Sequence, residues 1–307
     1  MKAYEACTLC PRRCGVNRIK QQSGICAQTA QLRIARAALH MWEEPCISGT
    51  RGSGTVFFSG CQLRCIFCQN DSIAQGEVGR EISVERLTEI FFELEQKGAN
   101  NINLVTPDHF IPHIVSAIQR AREQGFTLPF VYNTGSYVSL EALRMLDGWI
   151  DVYLPDFKYM DSEHARAYSG AADYPEVAKA ALAEMFRQVG PVQFATVDGE
   201  AEPMLVRGML VRHLLLPGAV ADAKRVITYL HRTYGNDIYL SLMNQYTPGA
   251  RVLEHPLLHR KVRRKEYEAW IDAAIELGIE QAFVQEGSAA EESFIPAFDY
   301  EGVEAES

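Results

Sequence analysis

Three cysteines crowd into one short stretch, Gly60-Cys61-Gln62-Leu63-Arg64-Cys65-Ile66-Phe67-Cys68-Gln69-Asn70, spaced C-x3-C-x2-C. They follow Thr55-Val56-Phe57-Phe58-Ser59, a β-branched and aromatic run that reads as a buried strand. The thiols therefore sit on a loop just past a strand's C-terminal end, where open sheets and barrels carry their chemistry. Three thiolates on one loop suit a soft metal centre. A [4Fe-4S] cluster has four irons and normally takes four thiolates, so three cysteines leave one iron open to a further ligand. A disulfide, a zinc loop and buried thiols are the alternatives. A zinc loop usually shows paired C-x2-C units, and this stretch has a single one.

A second group, Cys7, Cys10, Cys14 and Cys26, gives C-x2-C-x3-C-x11-C, with Gly15 and Gly24 as turn residues. Residues 1–53 carry little apolar material, and four thiolates on one metal would staple such a segment. Count and clustering favour a metal over idle thiols. Spacing leaves zinc and an auxiliary iron–sulfur cluster both open. Cys46 stands apart and is expected to be a small buried hydrophobe. His109 and His113 lie four apart without a Glu-x-x-His partner, so they are expected to face solvent or cap a helix.

The C-x3-C-x-(aromatic)-C pattern after a first strand resembles the signature of radical S-adenosylmethionine (SAM) enzymes. The run Gly52-Ser53-Gly54-Thr55-Val56-Phe57-Phe58-Ser59-Gly60-Cys61 is similar to the subgroup around pyruvate formate-lyase activating enzyme. Glu44-Pro45-Cys46-Ile47-Ser48-Gly49, Asn101 to Pro107 and Tyr153 to Tyr159 extend the likeness to homologues of that enzyme, and it spans about Cys7 to Asp299. The resemblance implies a [4Fe-4S] cluster on Cys61, Cys65 and Cys68 whose open iron chelates SAM. It implies reductive cleavage of SAM to methionine and a 5′-deoxyadenosyl radical, which abstracts a hydrogen atom. A flavodoxin- or ferredoxin-type electron donor is then an expected partner.

The elements that must position these residues alternate between strand and helix signals from Gly54 onward. Strands are expected at 54–59, 101–105, 129–133, 151–154, 205–216 and 238–242, with helical stretches between them closed by Gly98, Gly125 and Gly148. Alternating βα units imply a parallel sheet. Six of them fit an α/β fold of the partial (β/α)6 barrel type, which the resemblance also implies. The organisation read here is a Cys-rich N-terminal segment at 1–53, a barrel at 54–284 and an acidic C-terminal tail at 285–307. Residues 190–204 read as an extended connection.

In such a barrel, residues just past each strand share one cavity with the cluster. Thr106 stands where the resembled enzymes carry a Gly-Gly-Glu turn that meets the amino group of SAM; helix N-capping is its other reading. Asn133 matches the acidic position of their Asp-Thr-Asn-Gly turn, with an Asx-turn as the alternative. Asp156 and Lys158 match their Asp-x-Lys, and two apart on extended chain they point the same way. Arg212 lies among apolar residues and needs an anion. His213 alternates away from it and reads as structural. Gln245 and Tyr246 stand near a cofactor-binding histidine of the resembled enzymes.

The chain has 307 residues, 47% of them hydrophobic, enough for a large core. A net charge of −9 disfavours a nucleic-acid substrate. No run reads as a signal peptide or membrane span, and eight cysteines without a secretory signal point to a reducing cytoplasm. Three functions compete: a glycyl-radical enzyme activase, a radical SAM enzyme modifying a small molecule or another protein, and a non-catalytic metal-binding redox protein. The last would not call for Asp156, Lys158 and Arg212 at strand ends.

Overall fold

A computed structural model describes residues 2–284 and 296–304. One mixed sheet organises them: β1 (Arg33–His40), β2 (Ser53–Phe58), β3 (Arg80–Glu81), β4 (Ile102–Val105), β5 (Phe130–Thr134), β6 (Val152–Pro155), β7 (Gln193–Ala195), β8 (Met204–Leu214), β9 (Tyr239–Met243) and β10 (Ala282–Val284). Its order is β10-β9-β8-β6-β5-β4-β2-β1-β3, with β7 attached to β8. The run from β10 to β2 is parallel throughout. β1 joins β2 antiparallel, and β3 joins β1 likewise. The path does not close on itself, so the sheet is an open one, as in a partial barrel.

The helices are α1 (Pro45–Ser48), α2 (Asp71–Ala74), α3 (Val84–Gln96), α4 (Ile111–Glu123), α5 (Leu140–Arg144), α6 (Ser162–Ser169), α7 (Tyr174–Val189), α8 (Val220–Tyr234) and α9 (Arg264–Glu276). α3 shows why they form. Ser83 caps it by accepting from the Arg86 N–H, and Leu87, Ile90, Phe91 and Leu94 repeat at helical spacing to face the core. β2 is buried along its whole length, as a strand covered on both faces must be.

The six expected strands are present within two residues at each end. Four strands escaped the sequence. β1 reads Arg-Ile-Ala-Arg-Ala-Ala-Leu-His, where small alanines and a bulge between Ile34 and Arg36 blur the alternation. It lies inside the Cys-rich N-terminal segment read at 1–53, ahead of the expected barrel. β3 and β10 are too short to show a period, and β7 folds back on β8 within the connection read at 190–204. Of the expected tail, residues 285–295 and 305–307 lie outside the described residues. The described part packs on β1: Glu301 O accepts from the Ala37 N–H at 2.8 Å, and Phe298 meets Phe57 edge-on at 5.4 Å. Among the described residues no helix is long and apolar enough to cross a membrane.

Candidate active site

The loop from Gly60 to Asn70 leaves β2 under several constraints. Gly60 takes φ +88° and Arg64 φ +49°, which turn the chain sharply. Phe67 anchors the loop, meeting Tyr159, Tyr168 and Tyr246 edge-on with ring centroids at 6.4 Å each. The Ile66 N–H donates to Tyr168 O at 2.9 Å, and Ser169 Oγ donates to Cys65 Sγ at 3.0 Å. The three thiols line one wall of a cavity of about 510 Å³ at the strands' C-terminal ends. Burial pushes the Cys61 thiol up to about 11, and neighbouring Cys65 adds to this. Cys68 is raised too, first by burial and then by Cys65 and Cys61. A bound cationic metal reverses that preference and favours the thiolate. Among the described residues no three Cys, His, Asp or Glu side chains already stand grouped so as to hold a metal ion.

The facing wall is charged and centres on Arg212. Its Nε donates to Asp156 Oδ1 at 2.9 Å, its Nη1 to Glu43 Oε2 at 3.1 Å, and its Nη2 to Asn133 Oδ1 at 2.6 Å. Lys158 Nζ donates to the other Asp156 oxygen at 2.6 Å. Asn103 Nδ2 donates to the other Glu43 oxygen at 3.0 Å. Burial would raise Asp156, but Arg212 and Lys158 outweigh it and hold the carboxyl below its usual range. Burial would lower Lys158 and Arg212, but their neighbours together outweigh it, Asp156 and Cys65 around Lys158 and Asp156, Glu43 and Glu44 around Arg212, and both are raised. Glu43 and Glu44 are pushed up by burial, against the pull of Arg212. Glu44 lines the cavity, and among the described residues its buried Oε2 has no hydrogen-bond partner. An acceptor left so is costly unless a bound molecule supplies a donor.

Thr106 lines the same cavity with φ +56°, and its N–H donates to Asn133 O at 2.8 Å. A β-branched residue in the left-handed region is strained, and such strain collects at ligand sites. It does not cap a helix. The short 3-10 turn that follows, Asp108–Phe110, has Pro107 at its cap position with no side-chain bond. Gln245 sits on the cavity wall, its carbonyl accepting from Gln69 Nε2 at 3.1 Å. Tyr246 is buried instead, its hydroxyl donating to Leu258 O at 2.6 Å.

The histidines differ from expectation. His109 is buried and not on α4; its Nε2 meets Ser59 O at 2.7 Å, and burial lowers its pKa to about 3. His113 Nε2 meets Ala30 O at 2.7 Å. Both hold backbone rather than face solvent. His213 Nδ1 meets Phe157 O at 2.6 Å and packs edge-on against Trp270. Cys46 is buried in an apolar cluster with Ile47, Val131 and Leu154.

Residues 55–197 match the model of the Radical SAM superfamily. This stretch is a radical SAM domain. The superfamily's cofactors are a [4Fe-4S] cluster and SAM. An uncharacterized protein of Methanocaldococcus jannaschii is 25% identical over 281 residues, covering 88% of this chain and 75% of its own length. SuiB of Streptococcus suis bound to S-adenosylmethionine aligns with TM-score 0.48 at 14% identity over 74% of this chain and 48% of SuiB. SuiB bound to its precursor peptide SuiA aligns with TM-score 0.44 at 12% identity, over 74% and 46% of the two chains. The chain spans about half the length of the solved structures it matches.

The cavity thus brings together Thr106, Asn133, Asp156, Lys158, Arg212 and Gln245, but not Tyr246. Three polar residues on this side of the sheet were missed. Glu43 and Glu44 come from the return between β1 and β2, ahead of the domain; two acids before Pro45 look like ordinary charges at a helix start. Asp108 is buried, accepting from Gln62 Nε2 at 2.7 Å, Thr134 Oγ1 at 2.7 Å and Tyr132 OH at 3.0 Å. It ties the cysteine loop to β5. Burial raises its carboxyl.

Proposed function

We propose that Cys61, Cys65 and Cys68 hold a [4Fe-4S] cluster and that Asp156, Lys158, Arg212, Asn133, Thr106 and Gln245 surround SAM. The observation that carries this reading is that three thiols and a charged cluster centred on Arg212 line one cavity. The residues fit the groups. The volume suits a cofactor-sized ligand. Lys158 and Arg212 supply positive charge for a carboxylate, while Asp156 and the unpartnered Glu44 oxygen supply acceptors for an ammonium or hydroxyl. When bound, cluster and SAM together supply hydrogen-atom abstraction, driven by one-electron cleavage of the S–C5′ bond.

What the chain's own residues do follows from their contacts. Arg212, held from three sides, cannot swing away from its partners, so the charged wall is fixed before any ligand arrives. Phe57, Val105, Leu214 and Met243 add apolar surface to the cavity lining. A flavodoxin- or ferredoxin-type protein is the electron donor in this reading.

The finer function put forward is activation of a glycyl-radical enzyme by hydrogen abstraction from a backbone glycine, on the likeness of the Gly54–Asn70 block and Asp156-Phe157-Lys158. A small-molecule or other protein substrate is the second reading, favoured by the left-handed Thr106 where the activating enzymes carry Gly-Gly-Glu. Anaerobic reconstitution with iron and sulfide, then reduction with SAM, should yield 5′-deoxyadenosine from wild type and none from Cys61→Ala. No product from loaded wild type would sink the proposal. Full cleavage without a glycine-centred radical signal, on offering a glycyl-radical enzyme, would select the second reading.

A further inference from the structure

Arg18 is wholly buried, at 0% exposure, in the N-terminal segment. Its Nε and Nη2 donate to Thr29 O at 3.0 and 2.6 Å, and its Nη1 to His109 O at 2.5 Å. The guanidinium lies over the Tyr4 ring at 4.5 Å and the Phe110 ring at 5.4 Å. Its remaining polar neighbour is Cys7 Sγ, 4.0 Å from Nη1. Among the described residues no carboxylate lies within ion-pair distance. Carbonyls and rings satisfy the N–H groups but carry no net charge, and a buried cation without an anion costs several kcal/mol.

Around it the chain brings the other cysteines onto adjacent turns. The Cys7 N–H donates to Val16 O at 3.1 Å, and the Gly15 N–H to Cys7 O at 3.1 Å, closing the loop that contains Cys10 and Cys14. A Cβ added at Gly24 would lie 2.4 Å from Cys14 Sγ, so the turn leading to Cys26 folds directly onto that thiol. Arg13, Gln21 and Ala27 all take positive φ, a high density of strained backbone for so short a stretch.

We infer that Cys7, Cys10, Cys14 and Cys26 form a tetrathiolate metal centre and that Arg18 is its buried counter-cation. This site is separate from the one under Proposed function. Four thiolates on a divalent ion, or on a [4Fe-4S] cluster in its 2+ state, leave a net charge of −2. Binding releases the thiol protons to solvent, and Arg18 offsets half the remaining charge. The knuckle is also docked on the other cysteine loop. A Cβ at Gly60 would lie 2.4 Å from Cys26 O, Arg12 Nε donates to Gln62 O at 3.1 Å, and Arg64 Nη1 donates to Ile25 O at 3.4 Å.

The test uses full-length chain with Cys61, Cys65 and Cys68 all changed to alanine, so that failure of the other site cannot mask the result. Metal is read by elemental analysis with acid-labile sulfide after anaerobic loading with zinc or with iron and sulfide. Retained zinc, or retained iron with sulfide, supports the centre and identifies it. A metal content equal to that of a variant also lacking Cys7, Cys10, Cys14 and Cys26 overturns it. For Arg18, loss of metal to a chelator should be about tenfold faster in Arg18→Met, with Arg18→Lys in between. Circular dichroism at the same temperature checks that each is folded. Equal rates in folded Arg18→Met and wild type would remove the counter-cation role. If Arg18→Met does not fold, Arg18→Lys carries the test, since a retained charge should keep the rate within a few-fold.

Discussion

The chain holds two cysteine groups, and they are built on opposite plans. Cys61, Cys65 and Cys68 hang from the end of a fully buried parallel strand, and Phe67 and Ser169 fasten their loop to the barrel. Cys7, Cys10, Cys14 and Cys26 lie on turns with almost no regular structure, and Cys7 Sγ is 4.0 Å from the buried Arg18. The first group faces a cavity whose far wall is charged; the second faces that first loop's back. A rigid scaffold can leave a coordination position open for chemistry. A segment that depends on its metal for order uses every ligand to close itself. On the proposed reading, three cysteines against four is the trace of that difference in the sequence.

The largest expected effect separates the two directly. Cys65→Ala should abolish 5′-deoxyadenosine formation, whereas Cys14→Ala should leave most of it when the cluster is loaded anaerobically. Equal loss in both, measured by chromatography of the quenched reaction, would break the contrast.

Next is the charged wall that only the first group faces. Arg212→Ala removes contacts to Asp156, Glu43 and Asn133 and leaves two carboxylates buried. Losing a charge-assisted contact costs about 1.5–3 kcal/mol, so SAM affinity should fall roughly 10- to 100-fold. Equilibrium dialysis checks the affinity, and an unchanged cluster absorption spectrum shows that the thiol wall is intact. Wild-type affinity would mean that the wall binds something other than SAM.

A third test sits at the joint. Gly60→Ala puts a methyl group 2.4 Å from Cys26 O and forces alanine to φ +88°. A loss of about 2 kcal/mol or more is expected in denaturant unfolding. A neutral result would show that the two regions are not tightly docked.

The smallest effect concerns the strand supporting the first loop. Glu200 accepts from the Thr50 N–H at 2.6 Å, the Arg51 N–H at 3.1 Å and Asn100 Nδ2 at 2.6 Å, bracing the chain just before β2 and β4. Burial would raise its carboxyl, but those donors outweigh it and hold it at about 2, below the ordinary 4.5. A depressed pKa adds stability that is present above the unfolded value and lost as pH falls toward the folded one. The melting-temperature gap between wild type and Glu200→Gln should therefore be full at about pH 6 and shrink between about pH 4.5 and pH 2. A gap that does not change with pH would remove Glu200 from the support of β2.

Sequence alone determined what depends on local chemistry and period. C-x3-C-x2-C after an apolar run located the first loop, and alternating signals located the six main parallel strands. Asp156 and Lys158 could be paired because extended chain turns alternate residues to one side. Tertiary structure alone decided what depends on distant segments meeting. Glu43 reaches Arg212 across 169 residues of chain, and Glu200 reaches Thr50 across 150. Nothing in Asn17-Arg18-Ile19 distinguishes Arg18 from a solvated surface residue. Its burial follows from the Tyr4 ring and from Phe110 and His109, about ninety positions away. The histidines His109 and His113 show the same limit: their spacing suggested an exposed helix face, and the packing of the N-terminal segment against β2 made them backbone clamps. Period and spacing report which residues share a face. Which other chain covers that face is set by the packing of the whole core.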